Sequence, residues 1–203
     1  MSPQPAFTRA DPDARRQSLI EACARVLADK GAAGISVRSI CAAAGVSPGL
    51  LRHYFGGISE AIAETYRSTG AMIDAALAEA VEAAGPDPRA RLLAYITANF
   101  RPPIASPELL ASYVAFWSLT GSDPTVAAVR AEVYGSFRRE LEGLLRAYRP
   151  DLADVRVMAV ALTALIDGLW LELSLGQAPF SAEEAEALAA QWLDALTAQA
   201  GDG

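Results

Sequence analysis

The sequence predicts an all-α protein of about nine helices, and three observations carry that expectation. Apolar residues recur at three- and four-residue spacing over long stretches, the pattern of helices with one buried face. No sustained apolar–polar alternation bounded by turn residues argues for a strand. The breaks RPPIASP, GSDP, RPD and GQAPFS gather proline, glycine and cap residues between the periodic segments, as helix boundaries do.

The elements follow in order. Helix one lies in DPDARRQSLIEACARVLADKG, with Pro12 as its first-turn signal, Leu19, Ile20, Cys23, Val26 and Leu27 on one face, and Gly31 as its stop. Helix two, in SVRSICAAAG, has Ser36 as N-cap, Val37, Ile40 and Ala44 as its apolar face, and Gly45 as a C-terminal residue able to take positive φ. Helix three, in SPGLLRHYF, starts after a three-residue turn with Ser47 as N-cap and Pro48 at the first helical position, where a missing N–H costs nothing. Helix four is capped by Ser59, turns Ile62, Tyr66, Thr69, Ile73 and Leu77 to one side, and ends at Gly85, Pro86 and Pro88. Five more helices are expected at 88–100, 106–120, 124–148, 152–175 and 181–199.

Composition narrows the function. A chain of 203 residues that is 52% hydrophobic and 20% charged builds a substantial core. The apolar run VMAVALTALI stops at Asp167, short of the roughly 18 residues that cross a bilayer, so no membrane partner is expected. MSPQPAFTRADPDARR has no apolar block behind its charges and does not read as a secretory signal; a cytoplasmic protein is the expectation. Cys23 and Cys41 both fall on apolar helical faces and read as small buried hydrophobes in preference to a redox pair. The net charge of −7 argues against a nucleic-acid partner until its distribution is considered. Residues 1–58 carry seven Arg and Lys against four acids, a net +3, whereas the other 145 carry ten against twenty, a net −10. Screening confines such fields to about 8–10 Å, so a locally basic head can meet phosphate on an acidic protein.

Helix, glycine-containing three-residue turn, helix is the helix-turn-helix arrangement. Ile40, Ala44, Val46, Leu50 and Leu51 can close an apolar wedge, with small Ala42, Ala43 and Ala44 letting the helices approach. Helix three then presents Pro48, Gly49, Arg52 and His53, a slim face suited to a major groove about 12 Å wide. Ser36 and Ser47 stand at helix N-termini that favour phosphate, and Arg38, His53 and Tyr54 add side-chain donors. Arg52 is the candidate for base readout, since its fork can bond guanine O6 and N7 together.

GISVRSICAAAGVSPGLLRHYF resembles the N-terminal domain of the TetR family of transcriptional regulators. The similarity covers helices one to four and is strongest to the family's choline-responsive repressors, extending through AFWSLTGSDP and ALIDGLWLELSLGQAPF. It implies a three-helix DNA-binding domain at 1–58, a connecting helix at 59–84, and an effector-binding and dimerisation domain over 59–203. A homodimer on a palindromic double-stranded DNA operator, released by a small-molecule effector, is the implied mode of action. Two positions depart from the family. Ile58 stands where members commonly have a phosphate-gripping lysine, and Arg52 where a tyrosine is frequent.

The residues of the C-terminal half agree in part. VRVMAVALTALIDGLWLEL and AEALAAQWLDALTAQ are apolar on more than one face, more than a monomer can bury. Tyr113, Phe116 and Trp117 cluster on helix six, while Asp167 and Trp170 share a face of helix eight. Converging aromatic faces and one carboxylate attract a quaternary ammonium ion, and choline would fit. The same aromatic stripe could equally be core, and Asp167 could pair structurally.

An enzyme is the main contrary class. The only histidine, His53, is on the recognition helix, and no Cys, His and carboxylate cluster has metal-ligand spacing. GVSPG superficially matches a serine nucleophile elbow but lacks the preceding strand and a triad histidine. No catalysis, cofactor or metal is expected. A helical carrier or adaptor that has lost DNA binding remains the alternative, with Ile58 as its support.

Overall fold

The computed structural model describes residues 12–199. Residues 1–11, where most of the stretch read as lacking a signal lies, and 200–203 fall outside it. The described residues form nine α-helices and no strand: α1 Pro12–Gly34, α2 Val37–Ala44, α3 Pro48–Phe55, α4 Ile58–Ala83, α5 Pro88–Thr97, α6 Pro107–Leu119, α7 Pro124–Tyr148, α8 Val155–Ser174 and α9 Ala182–Gln199, with a 3-10 turn at Ala98–Phe100.

Local signals set the first three helices. Gly31 takes φ 62° and breaks α1 at the expected stop, leaving only a short final turn beyond it. Ser36 and Ser39 form a reciprocal capping box on α2: Ser36 Oγ accepts from Ser39 N at 3.0 Å, and Ser39 Oγ accepts from Ser36 N at 2.8 Å. Gly45 closes α2 in the left-handed region at φ 65°, and Pro48 starts α3.

Two serines behave otherwise than expected. Ser47 has the extended backbone of an N-cap, but its side chain makes no capping bond. Ser59 does not cap α4; Gly57 occupies that position and Ser59 lies inside the first turn. Its side chain instead lies near Asp123, the N-cap of α7, and helps hold that carboxyl below its usual range.

The apolar faces meet in one continuous core. Leu19, Cys23 and Leu27 of α1 pack with Ile40 and Cys41 of α2, Leu51 and Phe55 of α3, and Ile62 of α4. Both cysteines are free and buried, and Ala44 and Val46 are partly buried against this core. Ala42 and Ala43 are exposed, so Ala44 alone of the three lies at the α2–α3 contact. Ile58 is half-buried against the core. The core continues through α5–α9, and α1 also packs along α6, bracing the head against the body.

The ten-residue run 157–166 lies in the first half of α8, whose 20 residues are long and apolar enough to span a bilayer by length and composition. Asp167 ends the apolar run but not the helix, which continues as expected through it, and its carboxylate accepts a hydrogen bond from Tyr134 of α7. Val155, Ala159, Leu162, Ile166 and Trp170 form the inner face of α8, while Val157, Val160 and Leu171 stay exposed.

Candidate functional site

The α2–α3 head carries the residues expected to meet DNA. Ser36, Arg38, Ser47, Pro48, Gly49, Arg52 and His53 are all exposed. Tyr54 differs: it is half-buried against the core, with its ring edge-on to His53 at 5.3 Å. Leu51 and Phe55 anchor the buried side of α3, and Leu50 is half-buried. Arg16 of α1 lies 5.4 Å over the Phe55 ring and pairs with Glu64 of α4 at 2.8 Å. Glu64 in turn lies 3.6 Å from Arg67, which reaches Glu132 of α7 at 2.9 Å. Exposed pairs of this kind contribute little stability each, yet together they define where the head meets the body.

Deeper in the body, α4, α6, α7 and α8 line a partly open cavity of about 40 Å³. Its walls include Gly70, Ile73 and Asp74 of α4, Tyr113 of α6, Val133, Tyr134 and Phe137 of α7, and Thr163, Ile166, Asp167 and Trp170 of α8, with Asn99 from the 3-10 turn. Three residues singled out from the sequence, Tyr113, Asp167 and Trp170, are therefore brought together. The Tyr113 ring stands edge-on to Trp170 at 5.2 Å, and the Trp170 N–H donates to the Asn99 carbonyl at 2.8 Å. That bond consumes the indole's one donor and leaves its ring as a wall.

Phe116 and Trp117 fall outside the cavity wall. Phe116 is fully buried and stacks on Tyr66 of α4 with centroids 4.3 Å apart. Trp117 lies behind Tyr134, donating its N–H to the Tyr134 hydroxyl at 3.0 Å. Tyr134 donates onward to Asp167 Oδ1, also at 3.0 Å. Tyr134 was not singled out from the sequence. Its signal was present in the flanking Arg130 and Arg138, four residues away on either side, whose guanidiniums stack 4.4 and 5.4 Å from its ring centroid.

Burial pushes the Asp167 carboxyl up to about 6, and the Tyr134 hydrogen bond and the charges of Arg130 and Arg138 pull it part of the way back. Burial also holds the Tyr113 and Tyr134 hydroxyls well above the usual phenol range, so both stay neutral donors. On α4, Asp74 is raised by burial and by Glu140. It is shared with an outer groove of about 300 Å³ that also contains Glu82, Arg91, Tyr95 and Glu140. Among the described residues no group of three or more His, Cys, Asp or Glu side chains could hold a metal ion.

A helix-turn-helix head carried on a larger helical body is the architecture of DNA-binding regulators. Residues 19–64 match the family described as bacterial regulatory proteins, tetR family, and residues 88–198 match the BetI-type transcriptional repressor C-terminal family. The HTH-type transcriptional regulator BetI of Rhizobium meliloti (strain 1021) is 36% identical over 190 residues, covering 93% of this chain and 92% of that protein. BetI of Burkholderia thailandensis is 34% identical, covering 91% and 94%. Among solved structures, a transcriptional regulator from Pseudomonas aeruginosa PAO1 superimposes with a TM-score of 0.86 at 36% identity, covering 96% of this chain and 95% of that one. A regulator from Saccharomonospora viridis in complex with choline shares the fold, with a TM-score of 0.77 at 18% identity, covering 90% and 96%. The chain belongs to the TetR family of bacterial transcriptional regulators and has a BetI-type C-terminal domain. It is a DNA-binding regulator of a non-enzymatic family.

Proposed function

We propose that the protein is a repressor released by choline or a closely related quaternary ammonium compound. The observation that carries this reading is Asp167: a carboxylate in an aromatic cavity, with one oxygen held by Tyr134 and the walls supplied by Tyr113 and Trp170. Choline cannot donate from its nitrogen, so recognition rests on ring faces and a formal negative charge, each ring contributing about 0.5–2 kcal/mol. Asp74, Glu82 and Glu140 give the outer groove an excess of acid over Arg91, which favours a cation's approach. The BetI relatives and the choline complex of the S. viridis regulator lend the same direction.

Binding and release are linked by size. A 40 Å³ cavity has room for about three water molecules, less than a trimethylammonium group needs, so its walls have to move, and we place that movement between α4 and α7. Those helices cross closely at Gly70, where an added Cβ would stand 3.0 Å from Val133 Cγ2. Because α4 runs directly from the turn after α3, parting the helices shifts the head. An effector that favours the opened state draws the population away from the DNA-binding one.

Dimerisation completes the reading. Val157, Val160 and Leu171 of α8 and Leu188 and Trp192 of α9 are exposed, Val157 by 50% and Trp192 by 49%. A two-fold pairing through α8 and α9 would cover them and present two α3 helices to half-sites about 34–36 Å apart. The domain division at about residue 58, the eight head residues and action in the cytoplasm belong to the same proposal. Fluorescence anisotropy with DNA from upstream of the protein's own gene tests it: binding to a palindrome, weakened by choline, is expected, and a choline-insensitive complex would refute the effector assignment.

A further inference from the structure

We propose that Tyr66 carries occupancy of the Asp167 cavity to the DNA-binding head, by taking over the Trp117 N–H from Tyr134. This rests on the cation reading of the cavity and adds the residue that couples it to release.

Tyr66 lies two turns into α4 and is fully buried, and its hydroxyl has no hydrogen-bond partner. Its ring is held by Phe116 stacked on one face and by Tyr113 edge-on at 5.5 Å. Leaving a buried hydroxyl unpaired is costly, a standing drive toward any arrangement that satisfies it. The Trp117 indole is the donor within reach. It has a single proton to give, and Tyr134 Oη accepts it at 3.0 Å.

One donor therefore faces two acceptors on different helices. With the cavity closed, Trp117 holds Tyr134 of α7, and Tyr134 is free to direct its own proton to Asp167. A quaternary ammonium against Asp167 satisfies that carboxylate's charge, weakens its hold on Tyr134, and pushes α7 away from α4. Trp117 then turns its N–H to Tyr66, ending the orphan state. Such an exchange has two discrete arrangements, which a switch requires and a continuously deforming core does not supply.

Tyr66 is well sited to pass the change on. Glu64 and Arg67 flank it on α4 and tie that helix to Arg16 of the head and to Glu132 of α7. A shift of α4 at Tyr66 moves both pairs together.

Tyr66→Phe, which removes only the hydroxyl, is the test, read by choline calorimetry and by operator affinity with and without choline. Choline binding is expected to persist within about twofold, and apo operator binding to be kept. The choline-induced loss of operator affinity should fall about fivefold, the worth of one net hydrogen bond. Trp117→Phe, which removes the shared donor, must also reduce that coupling. An unchanged coupling ratio in Tyr66→Phe would overturn the proposal, as would a parallel change of both operator affinities. A wild-type protein that gives no heat with choline would overturn the cation reading and this proposal with it, whereas normal choline binding beside unchanged coupling would remove Tyr66 alone.

Discussion

Tyr134 gives its hydroxyl proton to Asp167 Oδ1 at 3.0 Å, and the direction of that bond is fixed by Trp117. An indole N–H can only donate, so Tyr134 Oη accepts from Trp117 and must spend its own proton on Asp167. The carboxylate is thereby held as an acceptor at one oxygen while burial raises its pKa from the usual 3.8 to about 6.

Cation binding should consequently depend on pH. A cation prefers ionised Asp167, so affinity is expected to rise through about pH 6 and level off above it, with about a tenfold loss between pH 7.5 and pH 5. Calorimetry across that range measures it. A flat profile would remove Asp167 from the cation's surroundings.

The same carboxyl sets a stability trend. Its folded pKa lies above its unfolded value, so the folded state binds the extra proton between about pH 4 and pH 6. This group's destabilisation is absent below that window and fully present above it, on the order of 3 kcal/mol. Asp167→Asn should therefore be more stable than the wild type at neutral pH while losing choline binding. Chemical denaturation at neutral pH checks the first part and calorimetry the second.

Gly70 sits where α4 crosses α7. Its replacement by Ala brings a Cβ to 3.0 Å from Val133 Cγ2, and relieving that contact should cost about 1 kcal/mol of stability and bias the helices apart. Weaker operator binding in the absence of effector is the expected outcome. Tighter binding would mean that separating α4 from α7 is not the releasing movement.

Arg52 is exposed on α3. If it reads a base, Arg52→Ala should lose about 1–3 kcal/mol of specific affinity and relax the preference at one operator position. Affinity unchanged across operator variants would exclude base readout by this side chain.

Trp192, 49% exposed on α9, should be covered in a dimer. Trp192→Glu is expected to yield a monomer by sedimentation and to lose most operator affinity, because two half-sites are no longer engaged together. A dimer that survives the change would put the interface elsewhere.

How much of this was legible in the sequence depended on the range of the signal. Ser36, Gly45 and Pro48 act on their own turns, and α2 begins and ends and α3 begins where those residues say. Ser59 looked equally like a cap, but α4 starts one residue before it, with Gly57 at the cap position and Ser59 inside the first turn. Spacing put Asp167 and Trp170 on one face, and both line the cavity. Spacing could not reveal that Phe116 faces Tyr66 of α4 or that Trp117 faces Tyr134 of α7, because periodicity identifies a face without its neighbour. The charge at Asp167 ends an apolar run, and spacing could not name its partner for the same reason: Tyr134 is thirty-three residues earlier in the chain.

The most direct measurement is operator affinity titrated with choline for the wild type and for Asp167→Asn in parallel. Choline should weaken the wild-type complex in a saturable way and leave the Asp167→Asn complex intact. Equal release of both proteins, or release of neither, would contradict a regulator that senses a quaternary ammonium through Asp167.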